Sequence, residues 1–356
     1  MSVLQVSKCI TVRLWGLTEK KSSLLNGLNL IWKEMVKQKR SYKELRELCP
    51  DIHSCYARNA SFKRTSEEDP IYLASYDIRL IDAGRKFARW FVRIPIRKGT
   101  AVFAPLRMRE RNSAELSSLE INDSRLVRKG GRFELHLSVS KEVEMNYAYR
   151  SVLGVDLGER YSAITVLWKD ACKTPPRFYG RNVRSIRRHY AWLRKRLGER
   201  KLLRIIRRIK DTERRKVNTI LHQISRAIVN EAKEERAVIV LGDLTGIRKR
   251  ARGKRMNRIV ANMPFHKLTQ YITYKASWEG MPIITTSEAY TSKTCHNCSS
   301  EAKRVSQGLF RCQTCQHEYN ADYNGAVNIA RKAERLLEHV SLSGVLGSVP
   351  MRGANF

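Results

Sequence analysis

The sequence predicts an α/β protein of 356 residues, long enough for two or three domains. Three observations carry that expectation. Along the first 150 residues the apolar side chains switch from alternation to helical recurrence and back. From Ser151 a second unit of strands and helices begins. Near the carboxyl end, Cys295, Cys298, Cys312 and Cys315 form two C-x2-C pairs separated by thirteen residues.

The elements follow in order. Val6, Ile10, Val12 and Leu14 roughly alternate with Ser7, Thr11 and Arg13, as a half-buried strand requires. Leu24, Leu28, Ile31 and Met35 recur at helical spacing. From Glu44 to Ala88 the pattern stays mostly helical, with turns near Pro50 and Pro70. Phe91 to Ile96 reads as a strand, and Leu126 to Val139 as a hairpin turning at Gly130-Gly131. Strands thus enclose helices, which predicts a small β-barrel (1–20 and 89–150) carrying a helical module (21–88).

Ser151 to Leu167 reads as a strand, a glycine-containing turn and a second strand. Arg181 to Lys216 is helical. Val217, Ile220, Leu221, Ile224 and Ile228 then form an apolar stripe for the core. Ala237 to Leu241 is a buried strand, Pro264 to Glu279 a helix and Pro282 to Thr286 a short strand. A final helix from Tyr323 to Val340 precedes a loosely ordered tail, 341–356. The second unit is therefore expected over 151–290 and 319–340, with 291–318 as a metal-binding insertion.

Charge points to a polyanionic partner. Lys and Arg total 69 against 34 Asp and Glu, a formal charge of +35. Nucleic acid is the first candidate and an anionic membrane the second. No apolar run approaches the ~20 residues needed to span a bilayer, and no membrane partner is expected. The amino terminus lacks a basic segment followed by an apolar one, and Cys9, Cys49, Cys55 and Cys172 are scattered like ordinary thiols. A cytoplasmic protein is expected. Between Arg181 and Lys216 lie sixteen Lys or Arg and three acids. A solvated helix face usually mixes signs, so one-sided charge favours phosphate contact by Arg187, Arg194, Arg204 and Arg208. Arg248 to Arg258 holds seven basic residues in eleven, including Arg248 and Arg250, and reads as a nucleic-acid-binding connector.

The four cysteines suit tetrahedral zinc, because soft thiolates favour it and two C-x2-C knuckles supply four ligands. The alternative is two disulfides, against which stand the spacing and the expected compartment. Four thiolates leave no open position, so the zinc is expected to be structural. His296 and His317 flank it as bystanders. Seven residues after Cys315 comes Asp322, and Asp156 sits among Val152, Leu153, Val155 and Leu157. A charged group in such a strand needs a reason. One is a salt bridge to Arg160; the other is a divalent cation held for phosphodiester chemistry.

Here a family resemblance enters. Gly154 to Val166, G-V-D-L-G-E-R-Y-S-A-I-T-V, resembles the first RuvC motif, and Val238 to Arg248, V-I-V-L-G-D-L-T-G-I-R, the second. Tyr290 to Cys298 and Cys312 to Ile329 resemble the zinc module and third motif. Order and spacing are similar to the TnpB family, transposon-encoded relatives of type V CRISPR effectors, from Ser151 to Arg331. The resemblance implies a ribonuclease H-like RuvC domain with a zinc-ribbon insertion. It also implies an N-terminal wedge β-barrel carrying a helical recognition module. The implied activity is RNA-guided DNA endonuclease, using Mg²⁺ in a two-metal mechanism. The implied partners are a guide RNA and double-stranded target DNA bearing a short flanking motif, with the protein a monomer or dimer on the RNA.

One position departs from that pattern. The family's second motif usually reads E-D-L, with the Glu as a metal ligand, and the matching residue here is Gly242, followed by Asp243. Successive strand side chains face opposite ways, so Asp243 takes over only if the strand twists. Glu318, four residues before Asp322, shares a face with it in either a helix or a strand. Glu288 is a further option. The expected site is Asp156, Glu318 and Asp322. The alternative is a nuclease-inactive, RNA-guided DNA-binding repressor. A third reading is a zinc-ribbon nucleic-acid-binding protein without a guide, against which the two aspartates argue.

Overall fold

The computed structural model describes residues 3–62, 70–85, 87–243, 253, 264–287, 293–301, 303–305 and 308–342. The chain divides into two units: Gln5–Glu142, and Val143–Phe356 together with Met1–Leu4.

The Gln5–Glu142 unit is ordered as follows: β1 (Val3–Leu14), α1 (Glu19–Gln38), α2 (Tyr42–Leu48), α3 (Ser54–Phe62), β2 (Ile71–Leu73), β3 (Arg79–Arg85), β4 (Ala88–Arg97), β5 (Thr100–Arg107), α4 (Glu110–Glu115), β6 (Glu120–Ile121), β7 (Ser124–Lys129) and β8 (Arg132–Glu144). Its strands pair in the order β2-β7-β8-β1-β5-β4-β3, with β6 on β8. Val6, Ile10, Val12 and Leu14 of β1 are buried, as their alternation requires. Helix α1 starts at Thr18, whose hydroxyl accepts from the Lys21 amide, and α2 starts on a capping box between Ser41 and Glu44. Leu25, Leu28, Trp32 and Met35 bury one stripe of α1. The Tyr56 hydroxyl of α3 donates to the Pro95 carbonyl of β4 at 2.6 Å and ties helices to sheet.

The helical pattern expected up to Ala88 does not hold beyond Phe62. Helix α3 ends at Phe62, and 71–73 and 79–85 are strands. Segment β2 is too short to show a period. Segment β3 is an exposed edge strand, so pairing with β4 defines it and burial leaves no pattern in its sequence.

The other unit runs β9 (Ser151–Asp156), β10 (Ala163–Lys169), β11 (Cys172–Lys173), β12 (Arg177–Tyr179), α5 (Arg181–Glu199), α6 (Leu203–Glu234), β13 (Ala237–Asp243), α7 (Phe265–Trp278), β14 (Ile283–Ser287), β15 (Lys303–Arg304), β16 (Leu309–Arg311), β17 (Glu318–Asn320) and α8 (Ala321–Leu342). The main sheet is β11-β10-β9-β13-β14, with β12 on β10. β9 and β10 are antiparallel; β9, β13 and β14 are parallel. The helical stretch from Arg181 breaks between α5 and α6, where Lys201 adopts a positive φ of 53°.

Helices cover both faces of this sheet, which is why β9 and β13 are near-continuous apolar runs. On one face Leu153, Val155, Ile239 and Leu241 pack on Leu221, Ile224 and Ile228 of α6 and on Leu268 and Ile272 of α7. On the other, Val152, Val238 and Val240 pack on Ile329, Ala330 and Ala333 of α8. Among the described residues no helix is long and apolar enough to cross a membrane.

Helix α8 lies against β9 at Gly154, where a Cβ would come within 2.4 Å of the Ala326 carbonyl oxygen and 2.8 Å of the Ala330 Cβ. Backbone on the helix side cannot yield cheaply. Gly154→Ala should therefore destabilise this unit by about 1–3 kcal/mol through overpacking. Urea denaturation of the purified variant measures it.

Candidate functional site

Strand β9 ends at Asp156. Val152 and Gly154 face α8, so alternation puts Asp156 on that face too. Helix α8 begins where Asn320 accepts through Oδ1 from the amides of Asp322 (2.9 Å) and Tyr323 (3.2 Å). Asp322 thus stands in the first turn, where the helix dipole favours an anion. It is buried to 5% exposure, and Asp156 is half-buried.

The Asp156 carboxylate rests on a glycine of α8, and that of Asp322 on a glycine of the turn after β9. A Cβ at Gly325 would lie 2.7 Å from Asp156 Oδ2, and one at Gly158 would lie 2.9 Å from Asp322 Oδ2. The sheet and the helix therefore bring the two expected acids together. Two hard oxygen donors held so close suit a divalent cation such as Mg²⁺.

The position of the missing glutamate is also defined. Leu241 is paired with Val155, so Gly242 comes level with Asp156. Val238 and Val240 face α8, and Gly242 continues that series. Ile239 and Leu241 face the opposite core, and Asp243 continues theirs, exposed at the strand end. Asp243 therefore does not share the Asp156 face. Gly242 pairs with the buried Thr286 on β14. Glu288 lies outside the described residues.

Glu318 is not with the aspartates. It stands on β17, exposed, paired across the strand with Arg311 and salt-bridged to it. The shared-face argument assumes one continuous element from 318 to 322. The chain instead changes from strand to helix at Asn320, so neither period applies. Among the described residues the one cluster of three or more metal-ligating side chains is the cysteine group.

That group fits zinc. The four sulfurs lie within 4.8 Å of one another, and none is joined in a disulfide, an arrangement that suits one tetrahedral metal better than two bridges. Backbone and side-chain hydrogen bonds from Ser300 pull the Cys298 thiol down to about 6, towards the thiolate that zinc binds. Cys295 and Cys312 are buried with Phe310 and Ala321.

The knuckle holds α8 directly. Asn324 and Asn328 donate to the Thr294 carbonyl at 2.8 and 2.7 Å, the His296 amide donates to Asn324 Oδ1 at 2.9 Å, and Arg331 donates to the His296 carbonyl at 2.9 Å. His296 is buried outside the sulfur group, and burial pulls its pKa down to about 4. Its role is to pack and to bond the helix. Thr294, Asn324, Asn328 and Arg331 were missed in the sequence, although Asn324 and Asn328 stand four residues apart on one helix face.

The basic residues divide. Arg204 and Arg208 are exposed on α6. Arg194 is salt-bridged to Glu213, and Arg187 is half-buried, with burial lowering its pKa. Arg248 and Arg250 lie outside the described residues.

Residues 265–329 match the family model described as Cas12f1-like, TNB domain. Over 239 residues the chain is 32% identical to the CRISPR-associated endodeoxyribonuclease Cas12f2 of a Micrarchaeota archaeon, covering 58% of this chain and 42% of that protein. It is 31% identical over 136 residues to the TnpB-like protein MJ0751 of Methanocaldococcus jannaschii, 38% of this chain and 49% of that one. It is 25% identical over 251 residues to the putative RNA-guided DNA endonuclease InsQ of Escherichia coli, 65% and 61% of the two chains. The chain spans about half the length of these relatives. Its fold is similar to that of the protein in a Cas12f1-sgRNA-target DNA complex, with a TM-score of 0.62 at 10% identity, covering 92% of this chain and 99% of that one.

Removing the metal, or Cys312→Ser, should loosen 293–328 and release the amino end of α8, since structural zinc contributes folding free energy directly. Metal analysis should find about one zinc per chain. Hydrogen exchange should show lost protection at Thr294, His296 and Asn324 in the zinc-free protein, with β9 and β13 still protected.

Proposed function

We propose that this chain, a relative of the TnpB-like proteins and the Cas12f endonucleases, is itself an RNA-guided, Mg²⁺-dependent DNA endonuclease. The observation that carries the reading is the interlocked pair Asp156 and Asp322. A protein that only bound nucleic acid would have no use for two acids seated against glycines inside a strongly basic chain. The α/β unit is read as a ribonuclease H-like RuvC domain. The eight-stranded sheet and helices α1–α3 are read as the wedge barrel and recognition module, and the four thiolates as the structural zinc site. A guide RNA pairs with one strand of target DNA, while the protein reads duplex shape and a flanking motif. The exposed Arg204 and Arg208 contact phosphates.

Asp156 and Asp322 would hold Mg²⁺, which polarises a phosphate oxygen and activates water. These side chains orient the ion, and Gly158 and Gly325 leave room for their carboxylates. A third carboxylate is expected for a cutting enzyme. Glu318 is engaged by Arg311 on the ribbon. Glu288 follows Thr286 by two residues, and Thr286 pairs with Gly242. With Asp243 on the other face and Glu318 on the ribbon, Glu288 is the remaining candidate for the displaced ligand. Gly242 itself favours the second reading, a guided DNA binder that does not cut.

The protein copurified with its RNA, supplied with matched target DNA and Mg²⁺, should cut. Asp156→Ala and Asp322→Ala should abolish cutting and keep guided binding. Glu288→Gln should do the same, whereas Glu318→Gln should cut normally. Adding Gly242→Glu to Glu288→Gln should restore cutting. Wild-type protein that binds its target and never nicks it would instead establish the inert reading.

A steric variant separates site from scaffold. Gly325→Ala gains about 1 kcal/mol of helix propensity. Its Cβ displaces the Asp156 carboxylate, the far end of a movable side chain. Thermal stability should hold or rise while the cleavage rate falls at least tenfold.

A further inference from the structure

The row of side chains that contains Asp156 continues across the sheet to an exposed aromatic. Asp156 pairs with Ile164 on β10, and Ile164 pairs with Phe178 on β12. Directly paired residues of neighbouring strands share a face. The packing agrees. Ile164 sits in a cluster with Val327 of α8. The next residue, Thr165, paired with Arg177, faces α6, where Thr165 and Arg177 both reach Glu231. Phe178 is therefore on the side of the sheet that carries Asp156 and Asp322. At just under 5 Å per strand it stands about 10 Å from Asp156.

Ile164, between them, is fully buried, but Phe178 is 43% exposed. Its ring meets that of Tyr161, with centroids 4.8 Å apart and planes at 53°. Tyr161 belongs to the β9–β10 turn, the same turn whose Gly158 abuts the Asp322 carboxylate. The exposed Arg160 places its guanidinium 5.9 Å from the Tyr161 centroid. Thus an exposed ring, a second ring behind it and a cation lie beside the two acids. The core gains little from a phenylalanine so exposed. A nucleobase laid on the ring would cover it, and every base offers a π-face whatever its sequence.

We infer that Phe178, backed by Tyr161, is a stacking platform for an unpaired nucleobase of the strand whose phosphate reaches Asp156 and Asp322. This rests on the reading of that pair as a phosphodiester site. Such a platform grips single-stranded DNA without choosing sequence, which suits a chain whose target would be chosen by a guide. The ring holds the base while Arg160 adds charge attraction for the adjoining backbone.

The test uses the purified full chain without added Mg²⁺ and single-stranded DNA carrying 5-iododeoxyuridine, irradiated to crosslink stacked aromatics. Adducts should map to Phe178 or Tyr161. Phe178→Leu keeps an apolar side chain and removes the π-face. It should lower the adduct yield by roughly five- to hundredfold, the range expected for one lost stack. Phe178→Tyr should retain it. Oligothymidylate should compete the adduct away, and a fully abasic phosphodiester of equal length should not. Adducts only elsewhere, or an unchanged yield in Phe178→Leu, overturn the platform. DNA that is never cut, with adducts still dependent on Phe178, sinks the nuclease reading and leaves the platform standing. A wild-type protein that cuts, with Phe178→Leu cutting and crosslinking alike, does the reverse.

Discussion

Helix α8 lies so close on strand β9 and the turn after it that a Cβ at any of three glycines would meet an atom at less than 3 Å. Gly154 admits the helix backbone, Gly325 admits the Asp156 carboxylate, and Gly158 admits that of Asp322. Everything proposed for the site depends on that approach. It sets the two acids at the end of one strand and the start of one helix, where strand alternation and the helix dipole each favour them. It also explains why small residues, Ala326, Ala330 and Ala333, line the packed face of α8. Larger ones would lift the helix and part the carboxylates.

The cysteine ribbon is what keeps the helix there. An isolated helix end frays, and its first amides need partners. Asn320 caps them from the ribbon's last strand, and Thr294 and His296 of the first knuckle hold the next turns through Asn324, Asn328 and Arg331. Buried amides bonded in this way leave little freedom for Asp322 to wander. A zinc held by the four thiolates would act on the acids only through these backbone carbonyls and asparagines, with the thiolates themselves closed to chemistry.

Much of this was legible in the sequence, and what was not has physical causes. Strands buried on both faces announce themselves as apolar runs, so β9 and β13 were plain, as were the hairpin β7–β8 and the cysteine knuckles. Asp156 stood out because such a run tolerates few charges. Edge strand β3 and short β2 carry no periodic signal, so their sequence does not distinguish them from helix. Glu318 failed because its spacing from Asp322 spans a change of element, which no face rule survives. Arg194 read as a free cation because its partner Glu213 lies on the next helix, across a break that one-sided charge concealed. The shelf at Phe178 was invisible without the strand register that sets it in the row of Asp156.

The central claim is that Asp156 and Asp322 together hold a divalent cation, apart from the zinc. Anomalous diffraction from crystals grown with Mn²⁺ tests it most directly. The account predicts a manganese peak bonded to both carboxylates, separate from a zinc peak among Cys295, Cys298, Cys312 and Cys315. A zinc peak alone, with no density between the two aspartates at saturating Mn²⁺, would contradict it.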